Sequence, residues 1–186
     1  MIKKVRILAE AHSGLEVTPE NYLKACLELF DLWFYQKDFS IQVNPGFGVV
    51  RLLLSQSRLS DCIMSENCQM HFISVSPEGD VYPCNRFYGF DEYKYGNIVK
   101  DNFEKLLENP KRQYLLKRNA SEIEKCKQCS ISRYCHGGCI HHALVHYGSF
   151  SSPDHLCIVY QGIVEHAVKR LNHELKKHLD PLKKER

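Results

Sequence analysis

Cys126-Lys127-Gln128-Cys129-Ser130-Ile131-Ser132-Arg133-Tyr134-Cys135-His136-Gly137-Gly138-Cys139 concentrates four thiols in one short segment. Written as a pattern it is Cys126-x2-Cys129-x5-Cys135-x3-Cys139, with Cys62-x5-Cys68 and Cys84 before it and Cys157 after it. Eight thiols suggest two four-thiolate sites. A loop can wrap Cys126, Cys129 and Cys135 around one site, while Cys139 lies one helical turn further on and can point elsewhere. Bacterial two-cluster ferredoxins use the same device, with three close ligands to one cluster and the fourth cysteine to the other. By that logic Cys157 completes the first site, and Cys139 joins Cys62, Cys68 and Cys84. Spacing alone equally permits an exchange of Cys139 with Cys135.

The whole chain has 186 residues, 44% of them hydrophobic, nine cysteines and a formal net charge of +3. That length allows one domain to one and a half. Cysteine usage near 5% is under the roughly 8–10% of a secreted disulfide scaffold. Arg6 and Glu10 interrupt the apolar stretch after Lys3 and Lys4, so it is too short for a signal peptide. The expected compartment is a reducing cytoplasm, where clustered cysteines hold metal more often than disulfides. No window reaches the 18 or so apolar residues of a membrane span. The positive charge belongs to the segment from Ile158 onward, a solvated helix face, and no broad basic surface suits a nucleic acid.

Two bland readings stand beside the cluster reading. Structural zinc would normally show two CxxC halves, and only one is present, although His136, His141 and His142 keep zinc open. Cys26 lies on an apolar helical stripe and reads as a small buried hydrophobe.

Around the cysteines, Val5-Arg6-Ile7-Leu8 is a short strand candidate, followed by a helix that Thr18 caps, with Pro19 and Glu20 in its first turn. Its apolar positions are Tyr22, Leu23, Cys26, Leu27, Phe30, Trp33 and Phe34. One βα unit cannot close a sheet. A second helix is expected over Gly48–Gln56, and a hairpin over Met70–Val75 and Asp80–Tyr82 around Ser76-Pro77-Glu78-Gly79. Gly96-Asn97 reads as a tight turn. Short helices are expected at Asn102–Glu108 and Pro110–Arg118, and Ser121-Glu122-Ile123-Glu124 offers a capping box. The last helix, about Asp154 to Leu179, carries Leu156, Tyr160, Ile163, Val164, Ala167, Val168, Leu171 and Leu175 on its buried stripe, with Cys157 in its first turn.

Cys68-x10-Gly79-x4-Cys84, the run Cys126 to Cys139, and Cys157 together resemble the seven-cysteine signature of the SPASM domain found at the C-terminus of many radical SAM enzymes. Cys62 resembles the extra ligand of members with two complete auxiliary 4Fe-4S clusters. Gly79-Asp80-Val81-Tyr82-Pro83-Cys84, Asp91-Glu92-Tyr93-Lys94-Tyr95-Gly96-Asn97-Ile98 and Cys135-His136-Gly137-Gly138-Cys139 agree with it. The resemblance implies an α+β fold: a small β-hairpin with helices and loops wrapped around two iron–sulfur clusters, preceded by the last βα unit of a partial barrel. It implies three segments, 1–60 from the barrel, 61–160 the two-cluster SPASM domain, and 161–186 an amphipathic helix and basic tail. Auxiliary cluster I would take Cys62, Cys68, Cys84 and Cys139, and cluster II Cys126, Cys129, Cys135 and Cys157.

The CxxxCxxC motif that holds the S-adenosylmethionine cluster in that family is absent. Cys135-x3-Cys139-x2-His142 is the nearest approach, with histidine in the third place. The chain is therefore expected to be part of a radical SAM oxidoreductase, as a truncation, a split gene product or an excised domain, and inactive alone. Implied partners are a peptide or protein substrate, a radical SAM core in cis or trans, and a flavodoxin- or ferredoxin-type reductant. S-adenosylmethionine would belong to the complete enzyme. Sulfatase-maturing members have an aspartate after the equivalent of Cys84, proposed as a base, whereas Asn85 has an amide that cannot accept the proton. Tyr82-Pro83-Cys84-Asn85-Arg86-Phe87 is more similar to members that modify ribosomal peptides. Asn85 and Arg86 are the candidate substrate-facing residues. A formylglycine-forming sulfatase maturase, a stand-alone electron carrier or peptide-binding module, and a zinc-stabilised interaction domain remain as alternatives.

Overall fold

The computed structural model describes residues 17–55 and 62–184, with side chains described as far as residue 178. The strand candidate at Val5–Leu8 lies outside them. The chain divides into two compact units, one spanning Cys62–His155 and the other joining the described residues before Cys62 to those after His155.

Helix α1 (Pro19–Gln36) starts as its sequence dictates. The Thr18 hydroxyl accepts the Asn21 N–H at 3.3 Å, Pro19 supplies a ready-made φ, and Glu20 sits in the first turn. Lys37 ends it in the left-handed region. Cys26, Phe30, Trp33 and Phe34 form its buried stripe at helical spacing. Tyr22, expected on that stripe, is exposed. Helix α2 (Gly46–Ser55) begins two residues earlier than expected.

The unit spanning Cys62–His155 is built on a small antiparallel sheet. Strands β1 (Ser74–Val75) and β2 (Asp80–Tyr82) pair as Ser74↔Tyr82 and Val75↔Val81. The expected turn joins them, with the Gly79 N–H donating to the Ser76 carbonyl at 2.9 Å and Gly79 at φ 85°. The first strand is shorter than Met70–Val75, because Cys68–Met70 coils into a 3-10 turn capped by Asn67. Gly96–Asn97 is not a tight turn but strand β3, paired as Asp80↔Asn97 and Val81↔Gly96. Gly96 is required there: it has φ 148°, and a Cβ would come within 2.6 Å of Leu106 Cδ2. Val81, Tyr95 and Leu106 form the core beside the sheet. The expected hairpin is thus the first two-thirds of a three-stranded sheet.

Helices α3 (Phe103–Leu107) and α4 (Pro110–Leu116) are capped by Asn102 and Asn109, with Pro110 at the first position of α4. Helix α4 stops two residues before Arg118. The expected capping box does not form: Asn119 caps a 3-10 turn at Ala120–Glu122 by accepting the Ser121 N–H at 3.0 Å. Helix α5 (Glu124–Lys127) then begins without a side-chain cap. Helix α6 (Ser132–Cys135) ends at the left-handed His136, and α7 (Ile140–Tyr147) at Gly148. Tyr82, Phe87, Leu115 and Ile140 make the second core cluster of this unit.

Helix α8 (Cys157–Lys184) packs with α1 and α2 in the other unit. Val159, Tyr160, Ile163, Val164 and Ala167 are buried, whereas Val168 and Leu175 are exposed, so its stripe is narrower than the sequence suggested. Gly162 sits where a Cβ would come within 2.5 Å of Leu23 Cδ1, so glycine is what lets α1 approach. Asp31 on α1 meets His166 Nε2 at 2.7 Å and takes two bonds from Arg170, at 2.8 and 2.5 Å. Among the described residues no helix is long and apolar enough to cross a membrane.

Candidate metal centre

The cysteines of the cysteine-bearing unit sit in or beside short helices and turns. Cys62 and Cys68 open 3-10 turns, Cys84 precedes another after β2, Cys126 lies in α5, Cys135 ends α6 and Cys139 caps α7. The Cys129 N–H donates to the Cys126 carbonyl at 3.2 Å, which makes those two residues one turn. None of the eight is in a disulfide. Cys62 and Cys68 line one open cleft with Arg118 and with Gly138 and Ile140, the two residues that flank Cys139. Cys68 and Cys84 pack on the same apolar cluster, and α6 lies against the turn that carries Cys62. Cys157 is the first residue of α8, in the other unit.

Burial sets the electrostatics. It pushes the Cys68, Cys84 and Cys126 thiols above their ordinary value, and the Cys139 thiol up to about 11. Neighbouring thiolates add to the rise: Cys84 acts on Cys68, Cys62 on Cys84, and Cys129 on Cys126. Such thiols stay protonated at neutral pH without metal. A bound cation displaces the proton and takes the thiolate as ligand.

Gln69, 1% exposed, aims its amide Nε2 at the Cys68 sulfur, 3.5 Å away. The orientation is fixed because the Tyr95 hydroxyl donates to Gln69 Oε1 at 3.0 Å, leaving the amide nitrogen to face the sulfur. Burial raises Tyr95 far above its usual range, so it remains a donor. Arg112 donates to the Gln69 carbonyl at 3.0 Å, and Asn67 donates to the Leu115 and Leu116 carbonyls at 3.2 and 2.9 Å.

Cys139 is held from a different direction. Its N–H donates to the buried carboxylate of Asp154 at 2.8 Å. His142 Nδ1 lies 3.0 Å from the same carboxylate, and its Nε2 meets Arg86. His155 lies 3.2 Å from the other oxygen and stacks on His146. Cys139, His142 and Asp154 form a trio whose ligand atoms all lie within 4.8 Å of one another. Among the described residues no three cysteine sulfurs do so, whereas sulfurs 2.3 Å from one tetrahedral zinc would be about 3.8 Å apart. Of the histidines that kept zinc open, His136 serves a left-handed turn and His141 packs its ring on Phe87 and Phe90. Asn85 and Arg86 occupy the exposed turn after Cys84. Gln69, Arg118 and Asp154 were not singled out by the sequence, since nothing local marks them.

The family described as the SPASM iron–sulfur cluster-binding domain matches residues 62–130. Over that segment the chain resembles SPASM domains. It is 33% identical over 159 residues to a cysteine-type anaerobic sulfatase-maturating enzyme of Clostridium perfringens, covering 82% of this chain and 41% of that enzyme. An uncharacterised Archaeoglobus fulgidus protein is 26% identical over 60% of the chain and 27% of its own length. Solved structures of anSMEcpe with bound AdoMet, and with AdoMet and the Kp18Cys peptide, superpose with TM-scores of 0.69 and 0.68 at 29% identity. They cover 86% and 87% of this chain, and 42% and 44% of those chains. The chain thus spans about two-fifths of the length of the sulfatase-maturating relatives it matches. A SPASM domain binds auxiliary 4Fe-4S clusters. The free thiols of this unit, all but Cys62 buried or half-buried, suit that soft-ligand cofactor.

Proposed function

We propose that this chain is the auxiliary-cluster portion of a radical SAM oxidoreductase that modifies a peptide or protein. The convergence of Cys62, Cys68 and Cys84 with the flanks of Cys139, in a chain that resembles SPASM domains, carries this reading. Cys62, Cys68, Cys84 and Cys139 hold cluster I; Cys126, Cys129, Cys135 and Cys157 hold cluster II, with Cys157 assigned on sequence spacing alone. Fully cysteine-ligated clusters supply one-electron transfer and no open iron. The chain's own residues position the donors: Asp154 fixes the backbone of Cys139, and Gln69 donates to the Cys68 sulfur. Residues 61–160 are the two-cluster region, 1–60 belong to a partial barrel, and 161–186 form the terminal helix and tail. S-adenosylmethionine, the radical SAM core and an external reductant belong to the complete cytoplasmic enzyme.

A second reading, formylglycine formation on a sulfatase, is favoured by the 33% identity to the Clostridium perfringens enzyme. Asn85 separates the two. It stands in the exposed turn beside Cys84, and its amide is no base. The loss of that base, with the similarity of Tyr82–Phe87 to members that modify ribosomal peptides, makes peptide crosslinking the preferred outcome. Anaerobic reconstitution followed by iron and sulfide analysis should give a brown protein with about eight irons per chain. Supplied with a CxxxCxxC-bearing core, it should yield a crosslinked rather than an aldehyde-bearing peptide by mass spectrometry. Colourless protein with stoichiometric zinc would sink the proposal.

A further inference from the structure

Arg118 offers five N–H groups, and all five go to backbone carbonyls. Its Nε donates to Phe150 at 2.8 Å, one terminal nitrogen to His136 and Gly138 at 3.3 Å each, and the other to Gly137 at 2.8 Å and Ser152 at 3.1 Å. His136, Gly137 and Gly138 have φ values of 50°, 84° and 70°, a left-handed run that accompanies three successive carbonyls on the guanidinium. At φ 84° any other residue at Gly137 would be strained, and its Cβ would sit 3.1 Å from that guanidinium, so glycine suits the cradle. Carbonyl dipoles satisfy hydrogen bonds but do not neutralise a cation withdrawn from water. No carboxylate among the described residues pairs with Arg118. Asp154, whose charge acts on it, hydrogen-bonds Cys139 and His142 instead.

Apart from Asp154, the groups positioned to supply negative charge to Arg118 are thiols. Arg118 lines the cleft of Cys62 and Cys68, and Cys126, Cys139 and Cys68 all act on its charge. Cys62, Cys68 and Cys139 belong to the first proposed ligand set and Cys126 to the second, and His136, whose carbonyl Arg118 holds, directly follows Cys135 of that second set. Four thiolates around a +2 iron–sulfur core leave each site at about −2. We propose that Arg118 is the shared counter-cation of the two clusters, fixed by a cradle of carbonyls that contains no carboxylate, and that it raises the reduction potential of both. This rests on the cluster assignment above. A nearby cation stabilises the more negative, reduced form of each site, so removing it lowers both potentials.

Arg118→Lys keeps the charge but has three donors for five carbonyls, whereas Arg118→Gln removes the charge. Both are compared with the wild-type chain by iron analysis and by redox titration monitored by electron paramagnetic resonance. Arg118→Lys should load iron and titrate near the wild-type potentials; Arg118→Gln should titrate lower at both sites, or fail to retain iron while Arg118→Lys retains it. If the two variants behave alike, with equal potentials or equal loss of iron, the hydrogen bonds are what matter and the proposal is overturned. A shift at only one site overturns the shared role. A wild-type chain that takes up no iron overturns the cluster assignment itself.

Discussion

In the helical unit, α1, α2 and α8 bury Phe30, Trp33, Phe34, Val49 and Ile163 among themselves, with Phe30 stacked on Phe34 and edge-on to Trp33. In the cysteine unit three strands of two or three residues and helices of four to eight residues surround buried thiols and a carbonyl-bound guanidinium. The first closes its core with apolar side chains alone. The second has two small apolar cores, around Val81 and Phe87, and buries the thiols of Cys126, Cys135 and Cys139 beside them. The difference teaches that one chain can hold one unit folded by its own side chains and another completed by iron.

The largest effect should come from breaking the cluster side. Cys129→Ala should remove about half of the iron, and limited proteolysis should then cut within residues 62–155 while the helical unit survives. A variant that stays protease-resistant throughout would erase the contrast. Phe30→Ala attacks the other side: truncating a 1%-exposed aromatic costs about 3–5 kcal/mol. Trp33 is the single tryptophan and lies in the helical unit, so its fluorescence in a denaturant titration reads that loss directly, with iron content unchanged.

Alkali should separate the units without mutation. In metal-free protein the raised thiol of Cys139 stabilises the folded form fully below its ordinary value near 9, and this contribution is lost as pH rises through about 11. Two pK units correspond to about 3 kcal/mol, so hydrogen exchange in the metal-free cysteine unit should accelerate over that window. Iron-loaded protein, its thiols already deprotonated as ligands, should show no such step. The smallest effect is expected for Asp31→Asn. Burial alone would raise the Asp31 carboxyl, but hydrogen bonds from Arg170 and His166 outweigh it and hold the group below its usual range. Removing that charge should cost the helical unit about 1 kcal/mol, read by the same fluorescence titration.

What was legible in the sequence was local. The cap at Thr18, the turn at Gly79 and the short helices after Asn102 and Asn109 depend on neighbours a few residues away, and they stand where the sequence put them. β3 was missed because two residues become a strand only through a partner met on folding, here Asp80 and Val81. The capping box at Ser121 failed because Asn119, two residues earlier, competes for the same backbone and wins. The cysteine spacing announced a metal centre. Asp154, Gln69 and Arg118 are brought to it from separate loops, and no local pattern could reveal them.

The bonds that tie Asn67 to Leu115 and Leu116 reach across 48 and 49 residues. Closing a flexible loop of that length costs about 3 kcal/mol of chain entropy, apart from a constant. The bond from Arg112 to the Gln69 carbonyl closes nearly the same ring a second time. Neither bond involves a thiol. The segment carrying Cys62 and Cys68 is therefore fastened to α4, the helix against which it packs, by an amide and a guanidinium, through bonds that need no metal.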